Sequence, residues 1–415
     1  MDDKKMDSLG SKERFQHKRV FLHTGGAQKM CRKPLLRQFS PLMVAMVGLP
    51  GRGKSILAKR LARYMNYTGD TTKVYDISEY RRKHMKKYAS HEMFRADNLP
   101  AWRIRIQSFR EALEDGAAWL QQPGNKVAIL DGPNVSRSQR EEIYDLVYTQ
   151  LGFRVMFIEC VCEDPIMLER NFKEILQYSA DYRGMATEES LKDLTFKMAH
   201  YKAQYVSPSL GSEWELSCPM VKLLDGGEGG VIAHGVTGVK ESKILAYIST
   251  PRPFQQTLYF SRGECESLTY EELQDLFPRE LALRDHEKLK YRYPQGESYI
   301  DVMNRLVPVL MQLETETNVL VVSHQAVLRC ILAYFLETPL QDIPYMNVPL
   351  HTIIKVNLQG FSYNLETIKM PIECVDTNRA KPTNCSETRT AEDALKTVPA
   401  HFDNINQLVC TLEAM

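Results

Sequence analysis

The run Leu42-Met43-Val44-Ala45-Met46-Val47 is apolar at every position. A strand buried on both faces reads this way, as in a parallel sheet covered by helices on each side. Apolar positions then recur at helical spacing from Ser55 to Tyr67. The alternation continues with a strand at Lys73 to Ile77, a long helix from Trp102 to Leu120, a strand from Lys126 to Leu130, a helix from Arg137 to Leu151 and a strand from Phe153 to Glu159. Such alternation predicts βαβ units and a mostly parallel sheet. The stretch from Tyr205 to Pro251 is rich in Gly, Ser and Pro, so the domain boundary is expected within it. A second α/β unit is predicted beyond it. Its strands start at Thr257, at Asn318 (to Ser323) and at Thr352 (to Asn357), and its helices lie at Thr269, at Glu297 and from Gln325 to Leu336. The expected organisation is a flexible arm over 1–40, one domain over 41–250, another over 251–375 and a polar tail over 376–415.

Composition adds exclusions. The 415 residues exceed one small core and suit two domains. Net charge is +1, so no global field favours nucleic acid or an anionic membrane, and any anion binding must be local. No apolar run reaches membrane-spanning length, and the N-terminus is too polar for a signal peptide. The 9 cysteines lack CxxC pairs and framework spacing, which implies free thiols in a reducing cytoplasm. Cys160 and Cys162, two apart on one strand, read as structural thiols.

The sharpest chemical signal is GLPGRGKS, Gly48 to Ser55, which fits G-x-x-x-x-G-K-[ST] between a buried strand and a helix. Gly48, Gly51 and Gly53, with Leu49, Pro50 and Arg52 between them, would turn backbone N–H groups inward around phosphates. The helix N-terminus adds partial positive charge. Lys54 would neutralise phosphate oxygens and Ser55 would ligate Mg²⁺. Asp131 follows four apolar residues at a strand's C-terminal end, where open α/β sheets bind ligands. It could hold the metal through water, accept a hydroxyl proton, or merely cap a helix. Asp76 ends a neighbouring strand and is a weaker candidate. Arg81, Arg82, Arg95, Arg103 and Arg105 would suit an anionic acceptor.

These motifs, with EYRR, FRADN, the DxxN of Asp131 to Asn134, FIECVCEDP, YRYPQGESY, SHQAVLRCILAYFL and PLHT, resemble the bifunctional 6-phosphofructo-2-kinase/fructose-2,6-bisphosphatase family over roughly Pro41 to Val375. The resemblance implies a P-loop NTPase-type kinase domain followed by a histidine-phosphatase-like α/β domain, with ATP and Mg²⁺ as cofactors, fructose 6-phosphate as acceptor, and a homodimer. It assigns catalytic roles to Lys54, Asp131 and Cys162, sugar-phosphate contacts to Arg81, Arg105, Lys197 and Tyr201, and nucleotide contacts to Asn171 and the P-loop. Pro133, Gln139, Leu176 and Lys197 depart from the family, which has Thr, Arg, Lys and Arg there. Each departure costs a donor, a charge or a guanidinium fork, so weak fructose 6-phosphate affinity is expected.

The second half poses a different puzzle. His324 ends an apolar run and opens a helix, with Gln325 and Arg329 on one helix face. The resemblance makes His324 the second, phosphoryl-stabilising histidine of a histidine phosphatase. It places Arg262, Tyr270, Arg284, Lys288, Tyr299, Gln325 and Arg329 at or beside fructose 2,6-bisphosphate contacts. In the family, however, a strand ends in a nucleophilic His, and a long stretch including a catalytic Glu follows. Here LYFSR runs straight into GECESLTYEE. Without the nucleophile no covalent intermediate forms, so the phosphatase domain is expected to be incomplete and inactive, with a loosened core. The alternatives to an active kinase are a catalytically weak regulatory binder of ATP and sugar phosphate, or a P-loop kinase of another sugar phosphate.

Overall fold

The computed structural model describes residues 20–23, 40–85, 88, 90–208, 213–249, 260–266, 268, 270–315, 318–359, 362–372, 374, 376, 378–383, 385–386, 388–390 and 396. Its first half is built on a seven-stranded sheet in the order β1-β7-β6-β5-β2-β4-β3. The strands are β1 (Val20–His23), β2 (Leu42–Val47), β3 (Thr72–Asp76), β4 (Val127–Asp131), β5 (Arg154–Val161), β6 (Met220–Leu224) and β7 (Gly230–His234). All pairings are parallel except β6 with β7.

β2 lies centrally between β4 and β5, and all six of its residues are fully buried. Leu42, Val44 and Met46 join one core, while Met43, Ala45 and Val47 join the other. This two-sided burial is why the run has no polar member. On the first face pack α1 (Lys54–Tyr67) and α8 (Val239–Ser249), through Ala58, Leu61, Met65, Ile244 and Ile248. The other face is covered by α3 (Leu99–Gln121) and α4 (Arg137–Tyr144), through Phe109, Ala112, Leu113 and Ile143. Three further helices, α2 (Ile77–His84), α5 (Pro165–Tyr178) and α6 (Thr187–Gln204), follow β3 and β5 at the C-terminal edge of the sheet, and α7 (Glu213–Ser217) precedes β6.

The Gly/Ser/Pro-rich stretch supplies β6 and β7 to the first sheet and α8 to one of its faces, its glycines serving turns between short buried strands. Other expectations need correction. The N-terminal arm supplies β1, paired in parallel with β7, and its other residues up to 39 lie outside the described ones.

The second half contains α9 (Tyr270–Leu276), α10 (Pro278–His286), α11 (Tyr299–Leu313), α12 (Gln325–Phe335) and a hairpin of β8 (Thr352–Gln359) with β9 (Ser362–Lys369). The strand expected at Thr257 lies mostly outside the described residues. The one expected from Asn318 to Ser323 is not a strand: the segment is irregular, and Leu320 is 85% exposed. A strand needs a ladder partner, and among the described residues β8 and β9 pair only with each other. The helices instead form their own core, in which Val302, Leu306 and Leu310 of α11 meet Val327, Cys330 and Ile331 of α12. The polar tail is not wholly free either, since Arg389 is buried against Asp285 at 2.6 Å.

Candidate active site and anion cavity

The P-loop joins β2 to α1 at the C-terminal edge of the sheet. Gly48 has φ 134°, and a Cβ there would lie 2.5 Å from the Cys160 carbonyl oxygen. Gly51 has φ 76°, and a Cβ would meet the Phe172 ring at 2.4 Å. Both positions therefore exclude any other residue. The loop is tied down by the Gly48 N–H, which donates to the Pro133 carbonyl at 3.0 Å. The Asn171 side chain also donates to the Gly51 carbonyl at 2.9 Å. Asn171 thus sits where the sequence placed it, holding the loop from α5.

Lys54 is buried and donates to the Leu49 carbonyl at 2.6 Å, curled over the loop it serves. Burial pulls its amine down to about 8, with Asp131 and Cys160 opposing. The Ser55 hydroxyl bonds the Asp131 carboxylate, which is only 2% exposed. Burial, reinforced by Asp76, pushes Asp131 up to about 6. Asp76 is its register partner across β3 and β4, and it caps α2 by accepting from the Ser78 N–H at 2.8 Å. The Oδ2 of Asp131 has no hydrogen-bond partner among the described residues. A buried, unpartnered carboxylate oxygen beside a serine hydroxyl fits a divalent cation. Cys162 is buried at the end of β5, near Arg52 and Asp225, and burial raises its thiol. Both neighbouring thiols are protonated bodies rather than ready nucleophiles, since Cys160 is pushed up to about 12.

The acceptor-side residues also converge. Arg81 of α2 donates to Asp181 at 2.5 Å, and Lys197 of α6 approaches the same carboxylate at 3.4 Å. Both cations lie over the Phe94 ring, at 5.3 and 4.5 Å. Tyr201 packs tilted against Phe94 with centroids 5.3 Å apart, and Arg105 donates to the Phe94 carbonyl at 3.2 Å. The Nε of Arg105 is buried without a partner among the described residues. Burial lowers the Lys197 amine to about 8. Asp181 and Phe94 are the organising residues that sequence reasoning missed. No local pattern marks Asp181, and Phe94 sits inside a motif valued for its arginine.

Of the departing residues, Pro133 lends its carbonyl to the P-loop. Gln139 bonds Ser136 locally, its Oε1 accepting at 3.1 Å. Leu176 is half-buried on α5.

In the second half a cavity of about 280 Å³ gathers every residue the sequence nominated there: Arg262, Tyr270, Arg284, Lys288, Tyr299, His324, Gln325 and Arg329. The helices supply most of them. Arg329 donates to the Met346 carbonyl at 2.8 Å and to the Tyr299 hydroxyl at 3.3 Å. Gln325 donates to the Val348 carbonyl at 3.0 Å. Arg284 is held by Asp285 at 2.5 Å. Burial, Arg284 and Arg329 pull the Lys288 amine well below its usual value. Arg262 lies over Tyr270 at 5.2 Å, with two buried guanidinium nitrogens unpartnered among the described residues. The join itself is closely fitted. Gly263 has φ 55° and packs on Pro294 to Gly296, with the Glu264 N–H donating to Pro294 at 3.0 Å and the Glu297 N–H to Ser261 at 3.0 Å.

No helix among the described residues is long and apolar enough to cross a membrane. The 6-phosphofructo-2-kinase sequence profile matches residues 32–252, and that of the histidine phosphatase superfamily (branch 1) matches 260–370. A 6-phosphofructo-2-kinase/fructose-2,6-bisphosphatase of Aquarana catesbeiana is 34% identical over 436 residues, covering 88% of this chain and 92% of that protein. The 6-phosphofructo-2-kinase/fructose-2,6-bisphosphatase 1 of Homo sapiens is 33% identical over 456 residues, covering 92% and 96%. An alignment of 436 positions that uses 88% of a 415-residue chain must include positions where the relative has residues and this chain has none. Among solved structures, Chaetomium thermophilum Kti12 in complex with ADP-AlF3 is 17% identical, covering 50% of this chain and 96% of that one at a TM-score of 0.31, too slight a likeness to bear on function.

Proposed function

We propose that this chain, which belongs to the 6-phosphofructo-2-kinase/fructose-2,6-bisphosphatase family, uses ATP to phosphorylate the 2-hydroxyl of fructose 6-phosphate, and that its second half binds phosphate esters without hydrolysing them. The observation that carries the kinase reading is the meeting of Lys54, Ser55 and Asp131 at one sheet edge. The cationic group around Phe94 is built on α2, which starts from the same edge at Asp76. A nucleotide's phosphates suit the P-loop N–H groups and Lys54, and a divalent ion bound at Ser55 and Asp131 would neutralise charge between them. Arg81, Lys197 and Arg105 suit the acceptor's 6-phosphate, with Tyr201 and Phe94 flanking the sugar. Asp131 is the candidate acceptor for the proton of the attacking hydroxyl. Cys162 would shape the site as a packed thiol.

The second half keeps the cations and His324 around its cavity. Among the described residues lining it, His324 is the sole imidazole. Charge complementarity without a nucleophile supports binding alone.

A second reading, a catalytically weak binder of ATP and sugar phosphate, is favoured by Pro133, Gln139 and Leu176, each of which lacks a charge or donor toward the substrates. One assay separates the two. Protein incubated with Mg-ATP and fructose 6-phosphate should yield acid-labile fructose 2,6-bisphosphate in a Lys54-dependent way. Absence of product despite measurable ATP binding would establish the binder. Product from another sugar phosphate in a substrate panel would redirect the assignment. A stable phosphoenzyme formed from labelled bisphosphate would overturn the inactivity of the second half. The same family reading leads us to propose a cytoplasmic homodimer, to be checked by fractionation and light scattering.

A further inference from the structure

We infer that the cavity of the second half is an effector site, at which a phosphorylated sugar raises the affinity of the P-loop for nucleotide. The inference rests on the reading of that cavity as a phosphate-ester site and adds a consequence of how the two halves are joined.

The joint is made of helices whose N-termini each lie at a site. α1 starts with Lys54 and Ser55 in the P-loop, and its far end reaches the core of the second half through Tyr67. α11 starts at the cavity with Tyr299 and ends at Glu314. α12 starts at the cavity with Gln325, carries Arg329 one turn later, and ends with Tyr334 and Phe335. Both α11 and α12 come to rest on α1. The Glu314 carboxylate accepts from Arg63 at 2.7 Å and from Tyr247 of α8 at 3.2 Å, and its backbone carbonyl accepts from Arg60 at 2.9 Å. The Arg63 and Glu314 side chains are 4% and 2% exposed. Tyr67 meets Tyr334 edge-on at 5.4 Å, Arg63 lies over the Tyr334 ring at 5.7 Å, and Glu337 accepts from Arg63 at 3.4 Å. At 14, 15 and 11 residues, these helices span roughly 16–22 Å, α11 with Pro308 inside it.

The cavity gives the helices something to respond to. Arg284, Lys288 and Arg329 line it together, and Arg284 and Arg329 both act on the Lys288 amine, with Asp285, the partner of Arg284, opposing them more weakly. A phosphate dianion draws them onto a common partner and orders the first turns of α11 and α12, since Tyr299 and Arg329 already share a hydrogen bond. The far ends of both helices form the seat of α1. Firming that seat pre-organises Lys54 and Ser55, so nucleotide binding meets a smaller ordering cost. By linkage, nucleotide tightens the effector equally. A hydrolytic enzyme would consume such a signal, whereas a cavity without a nucleophile retains it.

The test uses the full chain and calorimetry. Mg²⁺ with a non-hydrolysable ATP analogue is titrated with and without saturating fructose 2,6-bisphosphate. The expected result is nucleotide binding about fivefold or more tighter with the bisphosphate present. The gain should vanish in Arg329→Ala, which removes the effector. It should also vanish in the double variant Arg63→Met with Glu314→Leu, which keeps both sites but replaces the buried ion pair with apolar packing. Glu314→Gln is a second uncoupling variant should the double one fail to fold. If Arg329→Ala leaves bisphosphate affinity unchanged, the cavity reading falls and this inference with it. If the bisphosphate binds through Arg329 and nucleotide affinity stays the same, only the coupling is overturned. A gain that persists in the uncoupled variants refutes the route through Glu314.

Discussion

The two halves of the chain treat phosphate-binding side chains in opposite ways. In the first, the sheet makes the site: β2 delivers the P-loop, β4 delivers Asp131 and β3 delivers Asp76. In the second, helices make it: α10, α11 and α12 bring Arg284, Tyr299, Gln325 and Arg329 to the cavity, although Asn318 to Ser323 forms no strand. A site carried by a sheet is lost when the sheet is broken. A charged lining carried by helices with their own core does not depend on neighbouring strands.

The contrast can be broken or sharpened by measurement. The largest expected effect is on the sheet-borne site: Lys54→Met should lower formation of fructose 2,6-bisphosphate about a thousandfold, about 4 kcal/mol in the barrier. A loss below tenfold would mean that the P-loop is not where phosphoryl transfer occurs.

The seam between the halves comes next. Arg63→Ala leaves the buried Glu314 carboxylate with only Tyr247 and the more distant Arg60, and should cost about 3 kcal/mol in urea unfolding, whereas the double variant Arg63→Met with Glu314→Leu should recover most of it. Independent unfolding of two units, untouched by Arg63→Ala, would show the seam to be energetically idle.

Asp131 tests whether the first site is strained for function. Its carboxyl titrates near 6 instead of 3.8 because burial disfavours the charge. The native chain therefore holds a proton that the unfolded chain releases between these values. Stability on this account is highest below that window and falls as pH rises through it. Asp131→Asn should accordingly stabilise the protein at pH 7.5 by about 3 kcal/mol while removing kinase activity, and wild-type activity should rise as pH climbs through about 6. An unfolding curve unchanged or weakened by Asp131→Asn would contradict the buried-charge account.

The smallest effect probes the broken sheet. Leu320→Ser, at an 85% exposed position, should change stability by less than about 0.5 kcal/mol. A cost above about 2 kcal/mol would mean that the segment pairs as a strand in solution and that the second site, too, leans on a sheet.

Both sites were partly legible beforehand, for different reasons. The P-loop was readable because backbone geometry dictates its glycines: Gly48 and Gly51 tolerate no side chain, so sequence and conformation correspond one to one. Lys54, Ser55 and Asp131 were readable because their distance from a buried strand end is short and fixed. Of the cavity residues, His324, Gln325 and Arg329 were readable from one helix start, whereas Arg262, Tyr270, Arg284 and Tyr299 were readable only by resemblance, being far apart in sequence with no shared periodicity. β6 and β7 were hidden by their glycine-rich surroundings, and β9 by an alternation that faces mostly solvent. The segment Asn318 to Ser323 misled for the reverse reason. Its β-prone run is intrinsic, but a ladder requires a neighbour that no local pattern can promise.

The sequence alone settled the elements whose causes are local: the two-sided burial of β2, the glycine conformations of the P-loop, the helical period of α1 and α12, and the direct succession of Gly263 to Arg262. The tertiary structure alone decided what depends on distant partners. It bound Arg81 and Lys197 to one Asp181, raised Asp131 by burying it beside Asp76, left the β-prone run at 318–323 irregular, and set Arg63 on Glu314 across a separation of 251 residues. Charge pairing, burial and strand pairing are properties of neighbours in space, and the chain acquires those neighbours only by folding.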